Sequence, residues 1–262
     1  MACAIITGAS SGMGAQFARE LKKTAGIENF WFIARRVDKM EALASELGVN
    51  AKIIRADLGT SEGIETVTSL LREEKPQVSF LVNAAGFGSF GAFDEISSKT
   101  VEGMIDVNVK ATVLLTHAVV PYMLKGGRII QLGSGSCFTP LPYFNVYSSS
   151  KVFVLHYTKS LNYELKKYGI RACCFCPGWV DTEFIDKAKD KESVRMPKSF
   201  KPLLNSEKVV RGAVKAAMRG RKMYVVGWFT KMQHVLFKLV PDCILSRMWL
   251  GMLDKPVKED KE

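Results

Sequence analysis

Tyr147 and Lys151 stand four residues apart in a stretch of helical character, so their side chains share one face. A free phenol titrates near about 10, too high for a base at neutral pH. A neighbouring ammonium favours the phenolate and lowers that value, which lets a tyrosine exchange a proton with an alcohol or a carbonyl oxygen. Spacing alone decides little, because Tyr163 and Lys167 repeat it in the same stretch. The first pair is set apart by the loop of short residues before it, Gly133-Ser134-Gly135-Ser136. A serine hydroxyl there can hydrogen-bond the same substrate oxygen. By chemistry alone, Ser134 and Ser136 are equivalent.

A second group sits near the N-terminus, where Thr7-Gly8-Ala9-Ser10-Ser11-Gly12-Met13-Gly14 follows a short apolar run and opens an amphipathic one. Glycines at a strand-to-helix turn allow a tight bend, close backbone approach to pyrophosphate, and amides offered at the positive helix end. The Gly-x3-Gly-x-Gly spacing differs from the Gly-x-Gly-x-x-Gly fingerprint, so its place after the first strand carries the expectation of a dinucleotide. The next strand candidate ends Ile33-Ala34-Arg35-Arg36, with no acid before Asp38. An NAD site usually holds the ribose hydroxyls with a carboxylate there. Arg35, with Ser11, is placed to hold a 2′-phosphate instead, and NADP(H) is the expected cofactor. The plain alternative is that both arginines are solvated charges leading a helix.

These groups need a frame. Short, continuous apolar runs at 2–6, 29–34, 51–55, 78–82, 127–132, 171–176 and 222–226 read as strands covered on both faces. Helical stretches at 14–24, 38–47, 61–74, 100–124, 146–168 and 206–218 alternate with them. The alternation predicts an α/β fold, a doubly wound, Rossmann-type parallel sheet with helices on both faces. A single catalytic domain is expected over 1–226, with an apolar extension and a short charged tail over 227–262. The segment 183–204 is polar, lysine-rich and carries Pro197 and Pro202, as suits an active-site lid.

The chain of 262 residues is 47% hydrophobic and 24% charged, an ordinary globular balance, but its net charge is +11. Nucleic acid, an anionic membrane and an anionic small molecule compete to explain that charge. No recognition helix or zinc finger appears, so nucleic acid is not expected as a partner. Cys173, Cys174 and Cys176 crowd one run while Cys3, Cys137 and Cys243 stand apart. With His117, His156 and His234 out of ligand spacing, neither a disulfide framework nor a metal site is expected. Reduced thiols and an opening strand-like run point to a cytoplasmic protein without a targeting peptide.

The motifs together resemble the short-chain dehydrogenase/reductase family over about 2–226. The resemblance rests on Thr7-Gly8-x3-Gly12-x-Gly14, Asp57-Leu58, Asn83-Ala84-Ala85-Gly86, Asn108, Ser134, Tyr147-x3-Lys151 and Pro177-Gly178-x3-Thr182. It implies that Tyr147 is the general acid/base and that Ser134, rather than Ser136, orients the carbonyl. Lys151 would lower the Tyr147 pKa and bind the nicotinamide ribose, and Asn108 would hold a proton-relaying water. The resemblance also implies cofactor contacts at Gly8, Ser10, Ser11, Gly12, Met13, Gly14 and Arg35, then at Asp57, Leu58, Asn83, Ala84 and Gly86. Pro177, Gly178, Val180 and Thr182 would hold the nicotinamide side. Ala84 departs from the common Asn-Asn-Ala-Gly pattern. Dimers or tetramers are usual in the family.

Substrate is left to the lid, the tail and the aromatic residues. Phe87, Phe90, Phe93, Phe138, Leu141, Tyr143 and Trp179 flank the motifs and could line a pocket for a rigid apolar ketone or secondary alcohol, such as a steroid or bile acid. A 3-ketoacyl thioester or a xenobiotic carbonyl is the rival substrate, and a non-catalytic dinucleotide sensor or membrane-peripheral scaffold is the rival class. The segment 228–253 mixes apolar residues with Lys231, Lys238, Asp242 and Arg247 and is interrupted by Pro241. It could cover the substrate cleft, a subunit interface or a lipid surface, or simply pack as a buried helix.

Overall fold

Alternation within single strands decides the layering. In β1 (Cys3–Thr7), Ala4 and Ile6 point into one core while Cys3 and Ile5 point into another on the opposite face. The neighbouring β2 (Asn29–Ala34) divides in the same way, with Phe30 and Phe32 on the first face and Trp31 and Ile33 on the second. Both faces of the strands are therefore apolar, as the continuous runs predict.

The computed structural model describes residues 2–188, 195–237 and 239–254. Five further strands are β3 (Asn50–Arg55), β4 (Val78–Asn83), β5 (Met123–Leu132), β6 (Arg171–Cys176) and β7 (Met223–Val225). All seven pair in parallel in the order β3-β2-β1-β4-β5-β6-β7. The order reverses between β1 and β4, which opens a crevice at the carboxyl ends of the strands. This is the doubly wound fold that the alternation predicts.

Helices α1 (Gly12–Ala25), α2 (Val37–Leu47) and α8 (Ser206–Met218) cover the first face. The second is covered by α3 (Ser61–Glu74), α5 (Thr112–Val119) and α6 (Asn145–Glu164), and α4 (Ser98–Ile105) packs on α6. A short α7 (Phe184–Ala188) follows β6. The predicted lid and charged tail include 189–194 and 255–262, which lie outside the described residues.

One predicted boundary is corrected. The helix expected over 100–124 stops at Tyr122, and β5 begins at Met123. Pro121 has no N–H to donate, and it closes the helix through a 3-10 turn at Val120–Tyr122. Met123 then pairs with Val78 and Arg128 with Phe80, so the chain between them is bulged, with Gly126 at φ 91°. By length and composition the run Ser98–Tyr122 could cross a membrane. In this fold Met104, Ala111, Leu115 and Val119 are buried, three of them in the second core.

The C-terminal segment forms α9 (Trp228–Leu236) and α10 (Asp242–Met252), with Pro241 at the α10 N-cap. Trp249 Nε1 donates to the Pro142 carbonyl at 2.8 Å, and Lys198 N donates to the Met252 carbonyl at 3.0 Å. These bonds hold the segment against the loops at the crevice end.

Phe17 of α1 and Phe175 of β6 are fully buried and meet edge to face at 5.9 Å. Truncating such a ring removes its burial and leaves a cavity. Phe17→Ala is expected to destabilise the chain by about 3–5 kcal/mol, read as a lower urea midpoint with unchanged slope.

Candidate active site

The carboxyl ends of β1 to β4 surround a cleft of about 370 Å³. Its floor is backbone packed on backbone. Gly8, at φ 67°, lies so close to the end of β4 that a Cβ would stand 2.8 Å from Ala85 N. Thr7 Oγ1 accepts from the amides of Ala84 and Ala85, both at 3.1 Å, and locks the two turns together. A Cβ on Gly14 would sit 2.2 Å from the Gly8 carbonyl oxygen, so α1 starts directly on the loop. That leaves the loop and the positive end of α1 lining the cleft, as a pyrophosphate requires.

Ser10, Ser11, Gly12, Met13, Arg35, Asp57, Leu58, Ala84 and Gly86 line this cleft with Gly8 and Gly14. Asn83 does not. Its amide nitrogen donates to Thr116 Oγ1 at 3.0 Å inside the second core layer, so its place is structural support under the cleft. The basic corner also differs from expectation. Arg35 lies 3.7 Å from Asp57 and is largely exposed. Arg36 instead is anchored, donating to Ser10 Oγ and Ser10 O, each at 3.4 Å, and to Glu183 Oε2 at 3.3 Å. Arg36 was legible only as the neighbour of Arg35.

A smaller cleft of about 50 Å³ adjoins the first and holds Ser134, Tyr147, Lys151, Pro177, Gly178 and Val180. Met13, Gly86, Leu132 and Thr182 line both. Tyr147 and Lys151 project from one face of α6 and are buried. Lys151 Nζ donates to the Leu132 carbonyl at 2.8 Å and lies 5.6 Å from the centre of the Tyr147 ring. Ser134 shares this cleft with the Tyr147 hydroxyl and accepts from Ser136 N at 3.1 Å, whereas Ser136 lies outside the cleft lining. Tyr163 is exposed and accepts from Lys222, so the second tyrosine-lysine spacing makes no site.

Burial reverses the direction expected for Tyr147. Loss of solvent pushes its hydroxyl well above the ordinary phenol value, and the neighbouring Ser134 hydroxyl opposes only part of that. The same burial lowers Lys151 to about 8. Its ammonium is thus poised near neutrality, where it can both donate and hold a proton.

Asn108 is brought in by a helical irregularity. Residues Asp106–Ala111 form a π-helical segment between α4 and α5, which turns Asn108 into the interior. Its Nδ2 donates to Phe87 O at 2.9 Å and to Ser150 Oγ at 3.1 Å, while its Oδ1 accepts from Phe87 N. A Cβ on Gly86 would lie 2.8 Å from Asn108 Oδ1 and 3.3 Å from Lys151 Nζ. Only glycine leaves that space open.

Comparison with known proteins follows the same lines. The family model for short chain dehydrogenase matches residues 2–193. The chain belongs to the short chain dehydrogenase family. Human 17-beta-hydroxysteroid dehydrogenase 13 is 29% identical over 255 residues, covering 93% of this chain and 82% of that protein. Among solved structures, a short-chain dehydrogenase from Sphingobium yanoikuyae in complex with NADPH superposes with a TM-score of 0.79 at 24% identity, over 100% and 98% of the two chains. An alcohol dehydrogenase from the archaeon Thermococcus sibiricus complexed with 5-hydroxy-NADP has a TM-score of 0.72 at 28% identity, covering 86% and 96%. The protein is thus an oxidoreductase of this family, whose members bind a nicotinamide dinucleotide.

Around the dehydrogenase's tyrosine the aromatic wall differs from the predicted set. Phe87 and Trp179 line the clefts, but Phe93 is 82% exposed and Phe90 is buried behind the site. Phe90 stacks on Phe144 at 3.9 Å, and Phe144 stacks in turn on Tyr147 at 4.4 Å. Phe184, 5.3 Å from the Tyr147 ring, and Phe200, 4.9 Å from Trp179, complete the wall. Phe184 opens the five-residue α7 and Phe200 lies outside the named elements, so neither gave a periodic signal.

A depressed lysine pKa has a consequence for stability. Between pH about 8 and 10.5 the folded chain has lost the Lys151 proton while the unfolded chain still carries it. More protons on the unfolded state means that stability rises with pH across that window. Chemical denaturation of wild type and Lys151→Met is expected to show wild type gaining on the variant as pH rises from about 8 to 10.5. A constant difference across that range would contradict the buried ammonium.

Proposed function

We propose that this protein is an NADP(H)-dependent oxidoreductase that interconverts a secondary alcohol and a ketone on an apolar substrate of the steroid or bile-acid kind. The observation that carries the reading is the convergence of Ser134, Tyr147 and Lys151 on one small buried cleft beside the glycine-loop cleft. When bound, the dinucleotide supplies or accepts the hydride. Tyr147 holds the proton at its hydroxyl and delivers it to the substrate oxygen, or removes it in the oxidative direction. Ser134, in the same cleft as that hydroxyl, fixes the same oxygen. Lys151 supports proton exchange at Tyr147 by placing a cation beside the ring, and Asn108 holds the adjoining backbone of Phe87 in place.

The preference for a 2′-phosphate is supported by the two guanidiniums at the end of β2. Arg36 is already oriented by Ser10, and Arg35 is exposed to receive a charged group. The apolar character of the substrate is supported by the wall of Trp179, Phe184 and Leu132 around the reacting hydroxyl. It is also supported by the similarity to a hydroxysteroid dehydrogenase along most of the chain.

Absorbance at the nicotinamide band tests all three parts at once. With NADPH and a panel of steroid, bile-acid, ketoacyl-thioester and small aromatic ketones, turnover is expected on the rigid apolar ketones. Tyr147→Phe is expected to lower kcat by about 10²–10⁴-fold. Each of Arg35→Ala and Arg36→Ala is expected to raise KM for NADPH by about tenfold while leaving NADH little changed. Turnover confined to short polar carbonyls, or equal use of NADH by wild type, would overturn the corresponding part.

A further inference from the structure

The exposed apolar surface is unevenly distributed. Of the seventeen large hydrophobic side chains exposed among the described residues, nine fall within residues 228–252. In α9 and just beyond it, Trp228, Met232, Val235 and Leu239 are exposed by 74%, 43%, 63% and 80%. Their spacing follows one helical stripe. Among the described side chains of this helix, Thr230 is buried against Gly135 and Gly178, and His234 lies on the Phe138 ring at 4.4 Å, with Phe237 half-buried just past its end. Within α9 the described inward contacts are thus made by polar side chains, while its large apolar ones are turned outward. Helix α10 buries Leu245 and Trp249 and leaves Ile244 and Met248 exposed.

Charge accompanies this surface. Lys231 and Arg247 are exposed on the two helices, and Lys198 is exposed on the segment bonded to the end of α10. Within α9 and α10 the only acidic residue is Asp242. We propose that the α9–α10 face docks on an anionic lipid surface. Apolar side chains enter the acyl boundary, Trp228 lies at headgroup level, and lysine and arginine meet the lipid phosphates. A second copy of the chain fits less well. Symmetric pairing would set the patch against itself, bringing Lys231, Arg247 and Lys198 close to like charges, with Asp242 and Asp254 the acids beside them among the described residues.

Docking on this face has a consequence for the substrate, and here the inference rests on the apolar-ketone reading above. Thr230 packs on Gly135 beside Ser134, and Trp249 is bonded to Pro142 in the loop that leads into α6. The docked face thus adjoins the site, and an apolar substrate dissolved in the bilayer reaches Tyr147 without crossing bulk water.

The test uses the full chain with vesicles of phosphatidylcholine alone or mixed with phosphatidylserine. Co-sedimentation is expected with the mixed vesicles, weakened by salt. A blue shift of tryptophan fluorescence is expected with it, because Trp31 and Trp249 are buried, Trp179 is half-buried and Trp228 is exposed. Val235→Glu with Leu239→Glu is expected to abolish sedimentation, and Lys231→Ala with Arg247→Ala to reduce it on the order of tenfold. All four positions are exposed, so turnover of a water-soluble ketone without vesicles should be unchanged in both variants. That vesicle-free assay scores the enzymatic reading separately from docking. No binding to mixed vesicles overturns the proposal, as does wild-type binding by the glutamate variant. Self-association without lipid that the glutamates break, with no vesicle binding, overturns it in favour of a second copy.

Discussion

A buried ammonium is the constraint around which this site is assembled. Lys151 sits in the protein interior with the Leu132 carbonyl as its hydrogen-bond partner, and taking a cation out of water is costly. The neighbours are arranged so that one oxygen reaches it and bulk does not. Gly86 leaves the space in front of Nζ open, and Cys137 donates to the Lys151 carbonyl from behind. The lysine shares α6 with Tyr147, so the bond from Lys151 to β5 also sets where the tyrosine hydroxyl stands relative to Ser134. A longer side chain at Gly86 or a shift of β5 would disturb both groups together.

The cofactor side depends on a different economy, close contact between backbones. Gly8 against Ala85, and Gly14 against Gly8, bring β1, β4 and α1 nearer than any side chain would allow. Thr7 completes the junction by satisfying two amides with one hydroxyl. The crevice follows from the strand order, because β1 and β4 are neighbours whose crossovers leave on opposite faces. Fold and cleft are in this sense one construction, which is why the glycine spacing could differ from the familiar fingerprint and still make a phosphate cradle.

Sequence reading reached the parallel sheet because strands buried on both faces leave continuous apolar runs, and motif order singled out Ser134, Tyr147 and Lys151, which the structure brings together in one cleft. What it missed were effects of tertiary neighbours. Asn83 stands in a cofactor motif, yet Thr116 across the interface takes its amide. Cys137 looked isolated, but it packs in one core cluster with Cys174 and Cys176, whose sulfurs lie 3.7 Å apart under Gly133. The π-helical turn at Asp106–Ala111 contains no glycine or proline to announce it. The Tyr147 shift was mistaken in sign because a helical spacing reports a nearby cation but says nothing of burial, which is the larger effect here.

The tail shows the same limit in its sharpest form. A helix with one apolar and one polar stripe ordinarily turns the apolar stripe inward, and on that rule α9 would be a packing helix. The contacts available to it decide otherwise. Under α9 lie Gly135, Gly178 and the Phe138 ring, and it is Thr230 and His234 that meet them. The helix also packs on β7 at the sheet edge. With Thr230 and His234 turned to the loops after β5 and β6, the stripe of Trp228, Met232 and Val235 faces outward, so the outer surface of the tail follows from how α9 is seated on the loops beside the site.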